Sequence, residues 1–106
     1  MTGPTLATTV AGLAAGLDTQ VVMAGGSITW SRGETAFAVL HGSAVELRLD
    51  RAVAAAALRT PDTAPSPRGP EWVSFAPSTL EGHDLDRLEA WFGLAYRRAE
   101  TAAPRT

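Results

Sequence analysis

Apolar positions along this chain fall into a helical stretch, an alternating stretch and a second helical stretch. Leu6, Val10, Leu13 and Leu17 recur three or four residues apart, which predicts an amphipathic helix over 5–17. Thr5 is placed to cap it and Gly16 to end it. Between residues 20 and 50 the spacing tightens. Gly25-Gly26, Arg32-Gly33 and Gly42-Ser43 separate four short strands, Val21–Ala24, Ile28–Ser31, Thr35–His41 and Ala44–Leu49. In the fourth, Val45, Leu47 and Leu49 face one way and Glu46 and Arg48 the other. Turns this short demand antiparallel neighbours, because parallel strands need a long crossover. Asp50 can cap an alanine-rich helix over 51–58. Pro61, Pro65, Pro67, Gly69 and Pro70 then exclude a helix or central strand, so 59–70 is read as an exposed loop. Trp72–Phe75 gives a fifth strand. Ser78 and Glu81 have the spacing of a capping box. The final helix, over 84–99, carries the strongest periodicity, with Leu85, Leu88, Trp91, Phe92, Ala95, Tyr96 and Ala99 on one face.

These elements predict an α+β fold in the order α-β-β-β-β-α-β-α. A mostly antiparallel sheet of about five strands carries the two longer helices on one face. The whole of 1–106 is read as one domain with a frayed tail at 100–106.

Composition narrows the chemistry. The absence of cysteine excludes a disulfide framework, a zinc ribbon and thiol catalysis. The net charge of −2 is spread along the chain, and no basic block offers a footprint for a phosphate backbone, so nucleic acid is not an expected partner. Arg97-Arg98 suits the dipole at a helix C-terminus. No apolar run reaches membrane-spanning length, and no positive charge precedes the first apolar residues, so a cytoplasmic protein without a membrane partner is expected.

Two histidines are present. His41 ends a strand, where it could act as a general base, or simply be an exposed sheet residue. His83 reads as a solvated helix-start residue. Ser43 lies close to His41, but no third member and no Gly-x-Ser-x-Gly elbow accompanies them. No histidine spacing suits a metal, and no phosphate-binding fingerprint is present, so neither metal nor cofactor is expected. Carboxylate pairs drawn from Glu34, Glu46 and Asp50 have no preferred member. Trp30, Trp72 and Trp91 divide less evenly. Trp91 belongs to the apolar helix face. Trp30 or Trp72 beside His41, Glu46 and Arg48 would make a ligand surface on the free face of the sheet, the alternative being a tryptophan-rich core. Arg68, in the proline-rich loop, could clamp a carboxylate or phosphate, or be a solvated arginine. Val21–Ala24 has no charge and no proline to protect it as an edge strand. With the small-residue back of the first helix (Ala7, Ala11, Ala14, Ala15), it leaves a homodimer open.

The segment from about Ala36 to Ala99 resembles the small actinobacterial luciferase-family, or luciferase-domain, proteins. The likeness is carried by Leu40-His41-Gly42, by Val45–Leu49 leading into a short helix, by Gly69–Phe75, and by the helix ending Ala95-Tyr96-Arg97-Arg98-Ala99. The resemblance implies kinship to a domain of a fungal light-emitting oxygenase. Many members carry a further histidine in the loop before the tryptophan strand. This chain has none between Pro61 and Pro70, so light emission is not implied. The element order is also similar to frataxin-like domains, a likeness of arrangement alone. Two functions are therefore expected in competition. One is a binding or interaction domain for a small ligand or protein partner. The other is a small oxygenase-like or hydrolase-like enzyme with His41 as base.

Overall fold

The structure, a computed structural model, describes residues 5–77, 80 and 82–102. The capping box of Ser78 and Glu81 lies outside the described residues, as does the end of the tail from 103. Helix α1 spans Leu6–Ala15. Its first turn is closed reciprocally: the Thr8 N–H donates to Thr5 Oγ1 and the Thr5 N–H to Thr8 Oγ1, each at 3.1 Å. Strands β1 (Gln20–Ala24), β2 (Ser27–Arg32), β3 (Thr35–His41) and β4 (Ala44–Arg48) form the expected meander, and Asp50 caps α2 (Arg51–Ala57). Gly25 and Gly26 both have positive φ, 57° and 82°, which closes the β1–β2 hairpin on a two-residue turn of the type whose twist matches the strands.

Within the proline-rich loop the structure corrects the sequence reading. Thr63–Pro65 is a strand, β5, which pairs with β6 (Trp72–Phe75) at the rim of the sheet. A proline is tolerated there because a missing N–H at an edge breaks no ladder. The segment is also tied down: Thr63 Oγ1 donates to the Ala57 and Thr60 carbonyls, and the Ala76 N–H to the Asp62 carbonyl. The sheet thus has six strands, in the order β1-β2-β3-β4-β6-β5, all neighbours antiparallel. Helix α3 runs from His83 to Ala102, so the chain stays helical past the point where fraying was expected.

Register assigns each strand residue to a face, since paired residues point the same way. Ile28, Trp30, Ala38, Leu40, Val45, Leu47, Val73 and Phe75 share the face that meets Val10 and Ala14 of α1, Ala54 and Ala57 of α2, and Leu88, Trp91, Phe92 and Ala95 of α3. Between Trp30 and Ser31 the register shifts, because Trp30 pairs with Ala38 but Ser31 with Ala36. Phe37 is the extra residue of this bulge. It is fully buried, its ring edge-on to Phe92 at 5.4 Å and to Tyr96 at 5.7 Å. Trp91 packs likewise against Phe75 at 5.1 Å. The opposite face carries the row Val22, Thr29, Val39, Glu46, Ser74 and Ala64, with His41 beyond one end of Glu46 and the Arg48–Trp72 pair beyond the other. None of these residues belongs to the main apolar cluster.

Candidate functional site

Glu46 sits in the middle of β4 on the open face, yet is only 3% exposed. Its cover is the chain after β5. Ser66 Oγ donates to Glu46 Oε2 at 2.5 Å, and Arg68 Nε donates to Oε1 at 2.8 Å. Ser66 Oγ also accepts the Arg68 N–H at 3.2 Å, which fixes the turn that brings the guanidinium back over the sheet. His41 Nε2 approaches the same Oε1 at 3.3 Å. Burial works against the charged form of Glu46. The hydrogen bonds from Ser66 and Arg68, with the charge of Arg68 and the nearby His41 imidazole, together outweigh burial and hold its carboxyl below the ordinary glutamate range. Both carboxylate oxygens are thus engaged. Glu46 is an anchor for the strap over 66–70 rather than a free base.

Arg68 also lies over the Trp72 ring, 5.5 Å from its centroid. Beside it, Arg48 donates through Nε to Glu71 Oε1 at 3.3 Å, while Arg98 Nη2 from α3 meets Glu71 Oε2 at 2.6 Å. Gly69, with φ of 140°, lets the strap turn so that the Trp72 N–H donates to its carbonyl at 3.1 Å. Arg68 forms the wall between two open grooves. One, of about 550 Å³, is lined by Glu34, Ala36, Arg48, Arg51, Arg68 and Trp72, among others. The other, of about 460 Å³, is lined by His41, Glu46, Pro65, Pro67, Arg68 and Ser74, with Ala64.

Five of the six residues singled out from sequence therefore meet on the open face: His41, Glu46, Arg48, Arg68 and Trp72. Trp30 does not. It is 2% exposed and stands edge-on to Phe92 at 6.5 Å. Its polar neighbours Thr29 and Ser31 made its strand look solvated, but they occupy the opposite face by alternation, and Trp30 follows Ala38 into the core. Ser43 lies in the turn after His41 rather than in a strand, so the two do not share a sheet face. His83 is the exposed first residue of α3 and lines neither groove. Among the described residues, no group of histidines and carboxylates is placed to hold a metal ion, and no helix is long and apolar enough to cross a membrane.

Sequence reasoning missed Ser66, Arg51 and Glu71. A buried carboxylate demands donors, so Glu46 in a strand gave notice that partners existed but not where. Arg51 is placed by Asp50: the cap fixes the start of α2, and the first helical side chain then borders the groove.

No protein-family model, no curated protein and no solved structure matches the chain.

Proposed function

We propose that this is a binding domain for a small organic anion, a carboxylate or phosphate monoester, seated in the larger groove. The observation that carries the reading is the convergence of Arg48, Arg51 and Arg68 with Trp72 around one concavity. Arg48 and Arg68 are already oriented by Glu71 and Glu46. Arg51 is exposed and makes no ion pair among the described residues, so its guanidinium is available to a ligand. Three guanidinium groups against Glu34 and Glu71 leave the lining net positive. Trp72, half-buried, offers a flat apolar surface to the rest of the molecule. Arginine favours planar anions because its forked donors match two oxygens at once. In this reading the protein is a non-enzymatic module of the luciferase-family type, acting in the cytoplasm.

A thermal-shift screen of mono- and dicarboxylates and phosphate monoesters, followed by titration calorimetry, tests it. Anions are expected to raise the melting temperature, and neutral amide or alcohol analogues are not. Arg51→Ala is expected to weaken the best ligand by about tenfold, the size of one charge-assisted contact. Melting temperatures unmoved by any anion, or an Arg51→Ala affinity equal to wild type, would reject the reading.

A second reading rests on the approach of His41 to Glu46 in the smaller groove. The carboxylate holds the imidazole through one nitrogen and leaves the other to accept a proton, the arrangement of a general base. Nδ1 of His41 makes no hydrogen bond among the described residues, and Ser66 is spent on Glu46 rather than on His41. The reading is thus of a base without an assembled nucleophile. Turnover of simple esters, lost in His41→Ala, would support it. The same turnover in His41→Ala would dismiss it.

A further inference from the structure

At the edge formed by β1, every residue is exposed, with Val21, Val22 and Met23 at 52%, 58% and 74%. The far edge differs: β5 is three residues long and ends in Pro65. Edge strands are ordinarily guarded by charge, proline or brevity, and β5 has two of these guards while Gln20-Val-Val-Met-Ala24 has none. The chain has 9 basic and 11 acidic residues, twenty in all, and Asp18 is the sole charge before Arg32. Loss of charge over α1, β1 and most of β2 matches the depletion found at the centres of protein interfaces.

We infer that β1 is a homodimer seam, pairing antiparallel with β1 of a second copy about a twofold axis at Val22. The hairpin sets which backbone groups of β1 face the free edge, and an axis at Val22 engages all of them. A two-residue turn makes Ala24 and Ser27, which flank it, a hydrogen-bonded pair, so alternation makes Val22–Thr29 and Gln20–Ser31 hydrogen-bonded pairs too. The N–H and C=O groups of Val21 and Met23 then point away from β2, toward the free edge. Placing Val22 opposite its own copy sets Val21 against Met23 of the other molecule, and each pair exchanges both hydrogen bonds. Val22 forms the closer, non-hydrogen-bonded pair on the axis. No like charges meet, and apolar side chains face one another on both sides of the seam. A second copy is the occupant favoured, because this register satisfies both edges at once and β1 itself carries no charge to select a different partner. The two sheets join into one, with all helices on the same side. The inference is independent of ligand binding in the grooves.

Sedimentation equilibrium of the full chain should give a dimer that dissociates on dilution. Val22→Lys sets two ammonium groups against each other on the axis and is expected to weaken dimerisation at least about tenfold. Its thermal unfolding, followed at concentrations where both proteins are monomeric, should stay unchanged because the side chain is exposed. The chain has no cysteine, so a single introduced thiol reports position cleanly. Under mild oxidation Val22→Cys should cross-link rapidly. Val21→Cys should not, whereas Val21→Cys mixed with Met23→Cys should. A monomer mass up to high micromolar concentration overturns the inference. So does a dimer in which Val22→Cys fails to cross-link, which would put the seam elsewhere.

Discussion

On the helix side of the sheet, Trp30 and Phe37 each meet Phe92 edge-to-face, Phe75 meets Trp91 likewise, and no charged side chain lies among the buried residues of the cluster. On the open side, the most buried side chain of the strap's attachment is a carboxylate, and what covers it is one serine, one arginine and one histidine. The first side is held by removal of apolar area from water, a force without direction. The second is held by a few directed contacts, each of which a competing ion could replace. A ligand that meets the first face must displace three helices, whereas one that meets the second need only negotiate with Arg68. That difference is why the sequence's chemistry collects where the packing is thinnest.

The contrast can be broken first from its strong side. Phe92→Ala removes a ring that is 1% exposed and touches both Trp30 and Phe37. It should cost about 3–5 kcal/mol in denaturant unfolding, with both grooves still formed in the fraction that folds. Glu46→Gln keeps the shape and a partner for Ser66 but removes the charge facing Arg68 and His41. It should cost about 1–3 kcal/mol and speed amide exchange in 66–70 without affecting α3. Ser66→Ala leaves one carboxylate oxygen without its donor and should cost about 1 kcal/mol.

Acid sharpens the comparison further. The folded-state value of Glu46 lies below the ordinary 4.5 of an unfolded chain. Its contribution is therefore fully present above that ordinary value and is lost as pH falls through the depressed folded one. Wild type and Glu46→Gln should accordingly converge in stability on acidification, while the deficit of Phe92→Ala persists. Failure to converge would show that the strap does not depend on the Glu46 charge. Arg51→Ala is the smallest perturbation. It should leave unfolding unchanged and affect ligand affinity alone.

Periodicity was enough to place the helices and the meander, because local alternation and turn glycines decide those elements. Trp72 and Phe75 have opposite parity in a four-residue strand and fall on opposite faces. Trp30 was misread for the same kind of reason that Trp72 was read well. Its face depends on pairing with Ala38 and on a bulge at Phe37, and neither is visible along the sequence. β5 stayed hidden because a proline argues against a strand everywhere except at an edge, and edges are a property of the folded sheet. Ser66 reaches Glu46 across 20 residues of chain, a contact with no local signature. His41, Glu46 and Arg48 were legible as a group because one strand and its neighbour carry them.

Molecule-to-molecule growth of a sheet requires adhesive ends at both extremities, so that each unit is sandwiched between two others. Here the β5 extremity ends at Pro65, which has no N–H to offer a further strand, and the segment is too short to template one. The folded protein is consequently monovalent in this respect. Whatever adds at β1 meets no second adhesive edge at the opposite rim, where a proline and a three-residue strand together disfavour further pairing. Restoring an N–H there, by Pro65→Val, would remove one of these two barriers and leave the brevity of β5 as the other.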